Sequence, residues 1–170
     1  MRIELKSTRE MSTQERARRD CVVRSSFYIY FNDYIYADAD WTILVWEGEE
    51  AVSAAEIFDR TILVGGQLMR VGGVGSVATK TEWRKRGYAS EAMRFVRNFL
   101  RETLAVDFGL GFCADNLIPY HTSLGWNLVA HSFLVDQPGR RMTFTDAVMA
   151  LPVLKEDWPP GEIDLCGLPW

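Results

Sequence analysis

Between residues 88 and 101 the apolar positions Ala89, Ala92, Met93, Val96, Phe99 and Leu100 recur at three- and four-residue spacing, with Glu91, Arg94, Arg97, Asn98 and Arg101 opposite them. That period predicts an amphipathic helix opening just after Gly87. Upstream, WTILVWE (41–47), AVSAAEIFDRTIL (51–63) and QLMRVGGVGSVAT (67–79) are extended apolar runs joined by Glu-Gly-Glu and Val-Gly-Gly, which predict an antiparallel meander. A brief alternation at 2–6 predicts a first strand, and Ser12 and Glu15 stand at capping-box spacing ahead of a polar helix to about Phe27. The stretch YIYFNDYIYADAD (28–40) has no clean period and reads as loop or short helix over a pocket. Downstream, VDFGLGFC (106–113) reads as a buried strand. Asp115 or Asn116 is the expected cap of a short helix with Pro119 in its first turn, ended by Gly125. The runs 126–135 and 141–153 around Gln-Pro-Gly read as two last strands, and the tail 155–170 as a segment packing back on the surface. The order β-α-β-β-β-α-β-α-β-β describes an α+β fold with a mixed, mostly antiparallel central sheet flanked by helices.

Composition narrows the function more than the fold. A chain of 170 residues with 48% hydrophobic, 12% aromatic and 25% charged residues fits one domain spanning 1–170, neither repetitive nor disordered. A net charge of −4 argues against nucleic-acid partners, since phosphate backbones require a basic surface. Cys21, Cys113 and Cys166 are too few and too scattered for a metal knuckle or a disulfide scaffold, so no metal is expected and a reducing compartment is. Cys166 reads as a small buried hydrophobe. The first twenty residues hold no apolar secretory core and no run approaches the ~20 apolar residues of a membrane span, so the expected location is cytoplasmic, with no membrane partner.

The chemistry concentrates in VGSVATKTEWRKRGYASEA (74–92), a strand that ends in a basic turn and opens into the amphipathic helix. Arg84-Lys85-Arg86-Gly87-Tyr88-Ala89 has the form R-x-x-G-x-A. A helix N-terminus presents unpaired amides and about half a positive charge, which together bind phosphate, while Gly87 lets the backbone approach. No G-x-x-x-x-G-K-[ST] sequence is present, so triphosphate hydrolysis is not expected. The G-x-G-x-x-A match at 73–78 lies inside an extended run and opens no helix, so it is set aside as a dinucleotide fingerprint.

This segment resembles the acyl-CoA motif of the GNAT superfamily of N-acetyltransferases. PYHTSLGWNLV (119–129) resembles the same family's helix-turn-strand, and the element order over 2–153 is similar to its fold. The ending GEIDLCGLPW (161–170) further resembles a branch near the aminoglycoside 2'-N-acetyltransferases. The resemblance implies acetyl-CoA as co-substrate, its pyrophosphate on the amides of Arg84, Lys85, Arg86, Gly87, Tyr88 and Ala89, with the Ser90 hydroxyl adding a contact. It also implies that the backbone of Val77, Ala78 and Thr79 pairs with the pantetheine arm and polarises the thioester carbonyl, in a gap between strands 67–79 and 106–113. Where many members carry a tyrosine as thiolate acid, four residues before the motif glycine, this chain has His121, with Tyr120 as the adjacent candidate. Where the aminoglycoside branch places a central-strand glutamate, nine residues before the motif arginine, this chain has Gly75. Gly72, Gly73 and Gly75 leave room for a substrate arm or for the tail, and a tail folded inward would bring the Trp170 carboxylate to the acceptor's ammonium.

Asp33, with Asp38 and Asp40 near it, reads either as a solvated loop or as a cation-binding rim, and Tyr28, Tyr30, Tyr34 and Tyr36 as packing or pocket wall. The function expected is acetyl transfer from acetyl-CoA to a primary amine of a small cationic acceptor. The alternatives are a protein amine as acceptor, a longer acyl group, or a noncatalytic acyl-CoA-binding regulatory module. Many relatives dimerise, which leaves a homodimer open.

Overall fold

The computed structural model describes residues 1–27 and 34–170. Strand β1 (Arg2–Ser7) runs antiparallel to β2 (Trp41–Glu47), which pairs with the first half of the 15-residue β3 (Glu50–Val64). Between β3 and β4 (Gln67–Thr79) lies a two-residue turn, Gly65-Gly66, with φ of +57° and +80°. Two consecutive positive φ angles match the twist of a hairpin and are open to glycine at little cost. The three-stranded meander read from the sequence is therefore present, with boundaries within one residue of the expected ones.

Helix α1 (Thr13–Phe27) starts at the expected capping box: the Glu15 amide donates to Ser12 Oγ at 3.2 Å and the Ser12 amide to Glu15 Oε2 at 2.8 Å. Val22 and Val23 of α1 pack on Leu44, Trp46, Ala51, Ala54 and Ala78, covering one face of the sheet. Helix α2 (Tyr88–Phe99) covers the other face, burying Ala92, Met93, Val96 and Phe99 against Ile43, Val45, Ile57 and Val74. A wider π turn, Leu100–Leu104, extends α2 and ends at Ala105 with φ +49°.

Downstream of α2 the sheet departs from the expectation. After β5 (Phe108–Cys113) and the short helix α3 (Ile118–Ser123), each long apolar run divides in two. Residues 126–135 hold β6 (Asn127–Ala130) and the start of β7 (Phe133–Gln137). Residues 141–153 hold most of β8 (Arg140–Phe144) and β9 (Ala147–Pro152). The Gln-Pro-Gly turn joins β7 to β8 as a hairpin swung away from β6 and β9. The expected cap at Asp115 or Asn116 is also corrected: Ala114 precedes a 3-10 turn at Asp115–Leu117, and no side chain caps it. The tail supplies a strand not foreseen, β10 (Ile163–Asp164), which pairs antiparallel with the end of β3 and parallel with β7. The described strands thus form one sheet in the order β6-β9-β5-β4-β3-β10-β7-β8, with β2 and β1 continuing from the first half of β3. Its parallel contacts are β4 with β5 and β10 with β7.

Candidate active site

Parallel pairing of β4 with β5 runs only from Val71/Phe108 to Val74/Gly111. Beyond that point β5 continues against β9, while β4 bulges. Its register on β3 slips between Ala54 and Glu56, and Ser76 takes a left-handed φ of +49°. One extra residue bends a strand and increases its local twist, so the end of β4 turns away from β5 and a gap opens between them. Val77, Ala78 and Thr79 form the lip of this gap. It is anchored from behind by Ser53, whose Oγ donates to the Ala78 carbonyl at 2.6 Å and lies 2.9 Å from Thr79 Oγ1.

The turn from β4 to α2 begins with a 3-10 segment, Thr81–Trp83, and then places Lys85 (φ +62°) and Gly87 (φ +88°) in the left-handed region. Nothing lies within 4 Å of where a Gly87 Cβ would project, so this glycine is required by its dihedral angle and not by crowding. No side chain caps α2, which leaves the first-turn amides of Tyr88, Ala89 and Ser90 without intrahelical acceptors. The three basic residues of the turn are not equivalent. Arg84 is committed to scaffold contacts, donating to Thr79 O at 3.0 Å and to Ser26 Oγ at 3.2 Å. Arg86 lies over the Trp83 ring at 4.9 Å, and Lys85 is exposed. Tyr88 turns inward and donates its hydroxyl to Glu47 at 3.1 Å; burial, reinforced by that carboxylate, raises its pKa.

Helix α3 brings Tyr120 and His121 to the same face of the sheet as α2. His121 packs edge-on against Trp126 at 5.8 Å and against Tyr120 at 5.3 Å. Trp126 lies 3.5 Å from the Cβ position of Gly111, the last β5 residue paired with β4. The Tyr120 hydroxyl is buried near Ser90 and Arg94 without a hydrogen bond of normal geometry, and burial pushes its pKa up. His121 Nδ1 is likewise buried and without a partner, and burial pushes the imidazole pKa down. His121 is therefore neutral near pH 7, a hydrogen-bond donor or proton acceptor and not a standing imidazolium.

On the opposite face, the one covered by α1, the tail folds inward. The Trp170 indole stacks on Phe58 at 5.7 Å and leans on Phe112 at 5.2 Å, with the Arg60 guanidinium 5.8 Å from its ring. A Cβ on Gly73 would stand 2.6 Å from Trp170 Cε2, and one on Gly75 would stand 3.3 Å from the Trp170 backbone carbonyl carbon. The space left by these two glycines is thus taken by the tail, and that at Gly72 by Leu100, 2.2 Å from where its Cβ would be. Pro169 O accepts from the Ala37 amide at 2.8 Å, and Arg60 donates to Leu168 O at 3.3 Å, which pin the tail in place. Asp164, buried in β10, pairs with Arg141.

Other candidates fall elsewhere. Asp33, Tyr28 and Tyr30 lie outside the described residues. Asp40 has a structural task, accepting from the Asp59 amide at 2.9 Å, while Asp38 is exposed. Both line a cleft of about 260 Å³ with Arg9, Arg16 and Arg19. The expectation for Cys166 is corrected: it is exposed, at φ +52°, because Asp164 Oδ1 accepts its amide and turns the chain there. One residue beside the gap escaped sequence reasoning. Glu56 is the cross-strand partner of Gly75 and forms a 2.8 Å ion pair with Arg19 of α1. Only its alternation with Ala54 and Phe58 along β3 signalled that it faces inward. Among the described residues, no group of three or more His, Cys, Asp or Glu is placed to hold a metal.

Residues 13–129, which include the splayed β4/β5 pair and the uncapped helix N-terminus, match the family described as acetyltransferase (GNAT) domain. The chain belongs to that family. Among solved structures, it is similar to Escherichia coli ElaA (16% identity, TM-score 0.64, covering 88% of this chain and 98% of that one). It is also similar to a GNAT family acetyltransferase from Brucella melitensis in complex with acetyl-CoA (12% identity, TM-score 0.64, 95% and 94%). A GCN5-related N-acetyltransferase from Kribbella flavida shares 21% identity at TM-score 0.58 over 78% of this chain, which spans only 35% of that protein's length. At these identities the likeness concerns the fold. No curated protein matches the sequence.

Proposed function

We propose that the protein transfers an acetyl group from acetyl-CoA to a primary amine of a small cationic acceptor. The observation that carries this reading is the continuity of the β4 lip at Val77, Ala78 and Thr79 with the uncapped first turn of α2. A thioester in the gap then has its pantetheine arm along β4. Its pyrophosphate lies over Gly87, Tyr88, Ala89 and Ser90, with Lys85 and Arg86 at the rim and Arg84 holding the turn. The Brucella melitensis relative, with the same fold, is a complex with acetyl-CoA.

The two faces of the sheet divide the chemistry. The amine nitrogen attacks the thioester carbonyl carbon, the C–N bond forms, the C–S bond breaks, and the thiolate leaves. The ammonium gives one proton to water before attack, the nitrogen loses a second as the amide forms, and one proton reaches the sulfur, so that one proton is released overall. Beside α2, Tyr120, which burial keeps protonated, donates the proton to the leaving sulfur, and neutral His121 offers it a hydrogen bond. Trp170 and Gly75 belong to the acceptor side, on the face covered by α1. Amides of the β4 lip stabilise the carbonyl oxygen as charge develops.

A screen of primary amines by thiol release tests the activity, and His121→Phe and Tyr120→Phe test the acid. Loss of a general acid lowers turnover by ~100-fold or more at unchanged acetyl-CoA affinity. Unchanged turnover in either variant removes that residue from proton transfer. A second reading, an acyl-CoA-binding regulator without turnover, is favoured by the Trp170 indole filling the space beneath the gap at Gly73. It predicts acetyl-CoA binding with no thiol release by any amine.

A further inference from the structure

Glu56 stands in register with Gly75 on one side and Thr42 on the other. Residues directly opposite in antiparallel strands share a face, with Cβ positions about 4.5–5.5 Å apart. The Glu56 side chain therefore rises on the α1 face beside a glycine that contributes no bulk. The same face holds Phe58, two residues on, and the end of the tail. A Cβ on Gly75 would meet both Phe58 Cε2 and the Trp170 carbonyl carbon at 3.3 Å. The gap, the tail and Glu56 converge on one glycine.

The electrostatics there are unequal. The Glu56 side chain is 13% exposed and accepts from Arg19 Nη1 at 2.8 Å, yet Arg19 also grips Asp20 at 2.7 Å. Burial works against the Arg19 charge, and the two carboxylates outweigh it and raise its pKa. Within this trio one guanidinium shared between two carboxylates leaves a net negative charge, while Arg60 on the same face is engaged with the Trp170 ring and Leu168 O; in a partly dry place a second cation is held by the trio more strongly than in water.

We propose that Glu56 is the ammonium-binding residue of the acceptor subsite, with Arg19 as the positioning residue that holds its carboxylate on the face it shares with Gly75. This rests on the amine-acetyltransferase reading and names its substrate determinant: a primary ammonium set against a carboxylate on the face opposite Tyr120 and His121.

The test uses the full chain and two separate titrations, one with 1,4-diaminobutane and one with acetyl-CoA, on wild type, Glu56→Gln and Glu56→Asp. A hydrogen bond to a charged group lost without replacement predicts about tenfold or weaker diamine affinity in Glu56→Gln, a smaller loss in Glu56→Asp, and an unchanged acetyl-CoA Kd in both. Diamine affinity equal in wild type and Glu56→Gln, or no saturable diamine binding by wild type, overturns the proposal. Where Glu56→Gln no longer binds acetyl-CoA, the decision passes to Glu56→Asp, which keeps the charge; unchanged diamine affinity there overturns the proposal as well. Wild type that fails to bind acetyl-CoA refutes the acetyltransferase reading itself, which is a different result from indifference to Glu56.

Discussion

Gly73 and His121 show how single positions connect packing to chemistry. At Gly73 a methyl group would sit 2.6 Å from the indole of Trp170, and the ring is hemmed in by Phe58 and Phe112. Gly73→Ala should therefore displace the tail and cost about 1–3 kcal/mol, the usual range for overpacking, read as a fall in Tm and a change in tryptophan fluorescence. An undiminished Tm would mean that the tail is not seated there. His121 leaves a signature in stability as well as in turnover. Its folded pKa lies below the unfolded value of 6.5, so the unfolded chain binds the proton more readily. The contribution of neutral His121 is thus complete above pH 6.5 and is lost as pH falls through the lower folded value. Denaturant titrations between pH 7.5 and 5 should show a loss of stability on acidification that is shallower in His121→Phe. Parallel slopes in the two proteins would contradict the burial of the imidazole.

Elements with strong local signals were legible in the sequence. The three-and-four spacing after Gly87 gave α2 its start and its buried stripe, and the apolar runs with their glycine turns gave β2, β3 and β4 nearly to the residue. The capping box placed α1, and it carries a prediction of its own. Lys6 and the Ser12 groups together hold the Glu15 carboxyl down at about 2. That stabilisation is present above the unfolded value near 4.5 and disappears as pH falls toward 2. Ser12→Ala should cost about 0.5–2 kcal/mol at pH 7, as lost helix caps do, and markedly less at pH 2, measured by urea unfolding. An equal cost at both pH values would separate the cap from the charge.

Less was legible where long-range geometry decides. The runs 126–135 and 141–153 divide because β6 and β9 stay with β5 while the β7/β8 hairpin is drawn across to β10, and local periodicity carries no record of that exchange. The opposition of Glu56 to Gly75 depends on the register slip at Ser76, a residue whose left-handed backbone no side-chain pattern announces.

Across the whole molecule, the sheet separates two candidate half-sites. Tyr120, His121 and the first turn of α2 lie on one face, and Trp170, Gly75 and Glu56 on the other, with the parting of β4 and β5 between them. The candidate cofactor site was readable as residue types because R-x-x-G-x-A stands at a strand-to-helix junction. The candidate acceptor side was readable only in outline, as a tail with glycines to receive it. Its assembly from β3, α1 and the tail brings together residues more than a hundred positions apart. The tail is bound to the rest through β10, the Arg141–Asp164 pair and the Trp170 ring. Trp170→Ala should therefore destabilise the protein by about 2 kcal/mol or more and weaken acceptor binding, while the α2 half-site, on the other face, keeps its acetyl-CoA affinity. Loss of acetyl-CoA binding in that variant would show the two faces to be coupled.

The most direct test of the central claim is calorimetric titration of the protein with acetyl-CoA, against acetyl-pantetheine lacking the nucleotide. Saturable binding to acetyl-CoA, much weaker or absent with acetyl-pantetheine, is the result predicted by a pyrophosphate seated on the first turn of α2. No saturable binding at millimolar acetyl-CoA, or equal affinity for both compounds, would contradict it.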